Sequence, residues 1–112
     1  MNNKKLLDRL YKIGKLPPAE IADQTNFPLK EFDKILQKIK LPIDFETALK
    51  LINLSPQIGE GCHEVEWAII SWVENYQATD EKYKELLDKG DEGEIKKILE
   101  KRFENYLKNK TK

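Results

Sequence analysis

Apolar residues in this chain recur three and four positions apart almost throughout, and no window alternates with period two. That spacing predicts an all-α fold. Leu6, Leu7, Leu10, Tyr11 and Ile13 form the first stripe, which Gly14 stops. Pro17 and Pro18 open a short second helix, since the N–H that proline lacks is not needed in a first turn; it carries Ala19, Ile21 and Ala22 and stops near Asn26. A third helix starts around Pro28, groups Leu29, Phe32, Ile35, Leu36 and Ile39, and ends at Pro42. Asp44 is placed to cap a fourth, with Phe45, Ala48, Leu49, Ile52 and, less centrally, Leu51 on its buried side. The stretch Ser55–Gly61, SPQIGEG, reads as a loop.

The fifth segment, Glu64–Tyr76, is the one around which the others are expected to pack. Val65, Ala68, Ile69, Trp72, Val73 and Tyr76 share a face, and Trp67 and Ile70 extend apolar character beyond it. A helix apolar over most of its circumference is normally covered by neighbours, so both tryptophans are assigned to the core. Gln77–Thr79 closes this helix, and Thr79 caps a sixth bearing Tyr83, Leu86 and Leu87, which Gly90 terminates. Asp91 with Glu94 reads as a capping-box variant opening the last helix. Its stripe is Ile95, Ile98, Leu99, Arg102, Phe103, Tyr106 and Leu107, and the lysine-rich end is expected to fray. Seven short helices imply paired hairpins in a compact bundle or small solenoid-like domain. At 112 residues the chain is read as a single domain, residues 1–112, with N-terminal helices over 1–40 and core helices over 44–108 around 64–76.

Charge changes the picture through its distribution, since the net charge is zero. Between Glu60 and Glu94 eleven acids face three bases, a net −8 that the two ends of the chain offset. An acidic segment on an otherwise balanced molecule suits a basic partner, although charges of both signs also simply solvate helix faces. A single cysteine, Cys62, forms no disulfide within the chain and fits a reducing compartment. The opening MNNKKLLDRLYK is interrupted by Asp8 and Arg9, so no secretory signal or membrane span is expected and a cytoplasmic location is.

Candidate chemistry is sparse. Cys62 and His63 beside Glu60 and Glu64 are the nearest approach to a metal cluster, but a structural zinc site needs four ligands, mostly Cys and His. Adjacent helical residues also point apart, which disfavours a Cys–His nucleophile pair. The five glycines make no phosphate-binding or dinucleotide fingerprint. No catalytic residue, metal or cofactor is assigned, and the chain is not read as an enzyme. Ala19–Ile39 has the pattern of a helix-turn-helix, with Asn26 at the turn. The outer positions of its second helix hold Pro28, Leu29, Lys30, Glu31, Asp33 and Lys34, and two acids facing phosphates disfavour DNA binding.

Val65, Trp67, Ile69, Ile70, Trp72, Val73 and Glu74, with Ala48–Leu54 before them and Asp80–Leu87 after, resemble segments of small helical, sometimes HEAT-like, bacterial immunity proteins that neutralise polymorphic or contact-dependent toxins. The resemblance covers roughly residues 48–106 and departs from the pattern at Glu66 and Ser71. It implies a stoichiometric inhibitor with no catalysis of its own and a cognate toxin, often a basic nuclease, as partner. Charge alone, not the resemblance, nominates the contact face: Glu60, Glu64, Glu66, Asp80, Glu81, Glu85, Asp88, Asp91 and Glu92. A small helix-turn-helix regulator is the alternative reading, and a helical adaptor or assembly protein a further one.

Overall fold

The structure, a computed structural model, describes residues 2–16, 27–55 and 63–110. Among the described residues there are six helices and no strand: α1 (Asn3–Ile13), α2 (Leu29–Gln37), α3 (Phe45–Ile52), α4 (His63–Glu74), α5 (Asp80–Lys89) and α6 (Glu94–Lys110). The short helix expected from Pro17 to Asn26 lies outside them, as do Cys62, Glu60 and most of the SPQIGEG loop.

Helices α1, α3 and α5 each begin where a side chain satisfies a free backbone N–H. Asn2 accepts the Lys5 N–H at 2.9 Å, Asp44 the Thr47 N–H at 2.8 Å, and Thr79 the Lys82 N–H at 3.2 Å. The bonds from Thr47 hold the Asp44 carboxyl below the usual carboxylate range. Gly14 stops α1 with φ +108°, a backbone that side-chain-bearing residues rarely adopt, while its N–H reaches the Leu10 carbonyl at 3.0 Å. Gly90 ends α5 for a different reason: a Cβ there would lie 2.7 Å from Ile52 Cγ2, so glycine lets α3 and α5 approach closely. Helix α2 stops at Gln37, short of Pro42, because Lys38 and Ile39 bond to carbonyls three residues back and tighten the last turn.

One core runs through all six helices. Leu6, Leu7 and Leu10 of α1 meet Phe32, Ile35 and Leu36 of α2, and the cluster continues through Ala48, Leu51 and Ile52, then Val65, Ile69, Ile70 and Val73, to Leu86, Leu87, Ile95 and Leu99. Helix α3 packs on α1, α4 and α5, and α4 packs on α2, α3 and α6. The hub is therefore the α3–α4 pair, where sequence periodicity points to the fifth segment alone. Leu51, ranked behind Leu49 by spacing, is fully buried.

The last helix starts differently from the expected capping box. Asp91 does not cap it; its own N–H donates to Asn53 Oδ1 at 2.8 Å. The Ile95 N–H, in the first turn of α6, donates to the buried Ser55 Oγ at 3.0 Å. Between these residues the Leu54 carbonyl accepts the Leu16 N–H at 2.9 Å. Three consecutive residues after α3 thus fix the exit of α1 and the entry to α6. Asn3 makes a second long-range clamp, giving its side-chain N–H to the Lys40 carbonyl and accepting the Lys40 N–H, at 2.9 and 3.0 Å.

Ser55→Ala leaves the Ile95 N–H unsatisfied away from water, and is expected to lower unfolding stability by about 1–3 kcal/mol. Urea denaturation of the two proteins reads this as a lower midpoint at unchanged slope; an unchanged midpoint rules out the cap.

Candidate protein-binding surface

The nominated acids divide into groups with different surroundings. Glu66 is not on a surface: it is 5% exposed. The reason is register, because Glu66 shares a helical face with Ile69, Ile70 and Val73, all buried. Glu60 and the side chain of Glu64 lie outside the described residues. Glu81, Glu85 and Asp88 line the side of α5 opposite its buried Leu86 and Leu87. Glu85 is bracketed by Lys82 and Lys89 at 3.4 and 3.2 Å, whose hydrogen bonds and charge hold its carboxyl low. Asp91 faces Lys15 at 3.6 Å, and Glu92 takes the largely buried Lys96 ammonium at 3.1 Å, which also donates to the Gly90 carbonyl. Lys82 and Lys89 already enter the net charge of the segment, and Lys15 and Lys96, from outside it, offset two more of its carboxylates.

Asp80 belongs to a cleft that sequence reasoning did not find. The cleft has a volume of about 260 Å³ and is bounded by Glu74, Tyr76, Ala78, Asp80, Tyr83, Arg102, Phe103 and Tyr106, where the end of α4 and the start of α5 meet α6. Its rings form a connected set: Tyr83 and Phe103 centroids are 4.9 Å apart, and Phe103 and Tyr106 stack at 6.0 Å. Two ion pairs cross the rim. Arg102 donates to both Glu74 oxygens, at 2.7 and 2.9 Å, a forked pair of the kind that adds geometric specificity. Lys110 donates to Asp80 at 2.6 Å and lies 5.8 Å from the Tyr106 ring centroid. The hydrogen bond with Lys110 lowers the Asp80 carboxyl and raises the Lys110 ammonium.

The tryptophans separate. Trp72 packs against the core, as expected. Trp67 is 48% exposed, which corrects its assignment to the interior. It shares its side of α4 with the exposed Ser71 and Glu74, and the Arg102 guanidinium lies 5.9 Å from its ring. Tyr106 and Leu107 are likewise 48% and 37% exposed, although they continue the apolar stripe of α6. At 1.5 Å per residue, α6 is about 25 Å long and α5 about 15 Å, so the outer turns of α6 run past their neighbour. The signal was present in the two expected helix lengths.

No group of three or more Cys, His, Asp or Glu among the described residues is placed to hold a metal ion, and no described helix is long and apolar enough to cross a membrane. Compared with known protein families, curated protein sequences and solved structures, the chain matches none.

Trp67→Ala is expected to cost less than about 1 kcal/mol of stability, while Trp72→Ala costs about 2–4 kcal/mol because it opens a void against the core. Acrylamide quenching gives the companion measurement, with Trp67→Phe removing most of the quenchable emission. A second expectation concerns pH. Burial raises the Tyr83 hydroxyl from 10.0 to about 12, with Glu74 adding to the shift and Arg102 opposing it. The folded state holds that proton more tightly than the unfolded chain, so the associated stability is intact below about pH 10 and is lost as pH rises toward about 12. Tyr83→Phe should remove this part of the alkaline decline, followed by denaturation at a series of pH values.

Proposed function

We propose that this chain is the immunity partner of a bacterial toxin, a helical protein that binds a basic toxin, of the nuclease type, and occludes its active site. The observation that carries this reading is that α4, α5 and α6 together present exposed carboxylates and large exposed aromatic side chains. The carboxylates Glu81, Glu85 and Asp88 stand on the outer side of α5, and the aromatic cleft with Asp80 opens at the start of the same helix. Exposed Trp67, Tyr106 and Leu107, with Arg102 between the tryptophan and the cleft, supply large rigid contact area. Trp, Tyr and Arg are the residues that most often dominate binding energy at protein interfaces.

The division of labour follows from the chemistry. Carboxylates on α5 steer a positively charged partner and raise the association rate, while the aromatic residues supply the close contact that slows dissociation. An inhibitor acts by covering the partner's site, so none of these groups needs a reactive pKa. The resemblance over residues 48–106 supports the more specific identification of the partner as a toxin. For the helix-turn-helix alternative, the described second half of the pair has a mixed outer side: Lys30 and Lys34 are exposed beside Glu31, which itself lies 4.0 Å from Arg9. That arrangement does not favour a phosphate-binding face.

With the chain as bait, a basic nuclease domain is expected to be captured and inactivated at equimolar inhibitor. Replacing Glu81, Glu85 and Asp88 together by lysine is expected to slow association about 10- to 100-fold and to remove its salt dependence. Surface plasmon resonance at two ionic strengths reads both effects. Association unchanged by the triple replacement would end the case for a carboxylate-steered inhibitor.

A further inference from the structure

We infer that the cleft bounded by α4, α5 and α6 is a receptor for one lysine side chain of the basic partner, and that Lys110 holds its rim carboxylate, Asp80, in the partner's absence. The inference rests on the basic-partner reading and names the chemistry of one contact within it. Four aromatic rings, from Tyr76, Tyr83, Phe103 and Tyr106, line the cleft together with the carboxylates of Glu74 and Asp80. An aromatic wall with a carboxylate is the arrangement that attracts an alkylammonium group, through ring quadrupoles and charge together. The volume of about 260 Å³ falls below the range of drug-sized sites, about 300–1,000 Å³, and suits a single long side chain.

The two ion pairs of the rim are not equivalent. Glu74 is held by both arms of the Arg102 fork, and Arg102 is further fixed over Trp67. This pair is neutral and stays in place. Asp80 is held by the Lys110 ammonium, with the neutral Tyr106 hydroxyl as a second partner, and Lys110 sits on the last described turn of α6, where residues Glu104 to Lys110 are exposed. Helix ends fray, and a lysine side chain loses much rotamer freedom when held. Lys110 is therefore the replaceable cation. Once it leaves, the cleft carries one uncompensated carboxylate, Asp80, facing aromatic rings, which is a socket for one positive charge.

Lys110→Met frees the Asp80 carboxylate while keeping a long side chain at an exposed helical position, and circular dichroism checks that helix content is unchanged. N-acetyl-lysine methylamide is titrated into each protein while the ring resonances of Tyr83 and Tyr106 are followed by NMR. Saturable binding is expected about tenfold tighter in Lys110→Met than in the unchanged chain, corresponding to removal of one modest competing contact. Lys110→Arg should retain the cation paired with Asp80 and behave like the unchanged chain. Adding Asp80→Asn to Lys110→Met should abolish binding, and N-acetyl-norleucine methylamide, which lacks the ammonium, should not bind. Equal responses of Lys110→Met and the unchanged chain, or equal responses to both probes, would overturn the inference. A small probe reads the cleft alone, so that failure would leave the carboxylates of α5 as a steering surface, and failure to find a toxin would leave a measured cation socket.

Discussion

Backbone groups released at helix ends must find partners, and in this chain three such obligations converge on Asn53, Leu54 and Ser55. Their side-chain and carbonyl oxygens accept the N–H groups of Asp91, Leu16 and Ile95. Leu54 and Ser55 are both buried, so water cannot substitute for these bonds at little cost. The α3 exit therefore holds the end of α1 and the start of α6 in fixed positions relative to the α3–α4 hub. The cleft and the exposed aromatics follow from that placement, because α6 forms one wall and carries Arg102, Phe103, Tyr106 and Lys110.

Much of the helical framework was legible in the residues. Local signals specified it: the stripes of α1, α2 and α5, the oxygen caps Asp44 and Thr79, and the glycine stops at 14 and 90. What was not legible depended on distant segments. The spacing of Asp91 and Glu94 satisfies the local form of a capping box, yet Ser55, forty residues away, takes the role. Glu66 was misjudged by residue type against register, since its neighbours three, four and seven positions on are all buried. Trp67 was misjudged in the same manner, its size outweighing a position off the apolar stripe. Of the residues at the candidate surface, charge alone nominates Asp80 and the carboxylates of α5, whereas the aromatic residues of the cleft lie on helical stripes that read as core.

Charge along the sequence and charge in space are different quantities here. The −8 counted from Glu60 to Glu94, in which the lysines of α5 are already included, is met by Lys15 from beyond α1 and by Lys96, Arg102 and Lys110 from α6. Exposed pairs of this kind contribute little to stability, with a typical value of about 0–1 kcal/mol. Their larger effect is on recognition. They shorten the range of the acidic field, leaving Glu81 and Asp88 as the exposed α5 acids with no ion pair among the described residues.

The overhang of α6 has a spectroscopic consequence. Past Phe103 its turns are held by the Glu104–Lys108 pair and the Asp80–Lys110 bond rather than by buried side chains. Short helical segments supported in this way lose order gradually, in a manner uncoupled from the cooperative loss of the core. Amide protons there should exchange by fraying, and ellipticity should drift downward on warming well before the main transition. A sloping native baseline in such a melt would thus report the tip of one helix, with the core still intact.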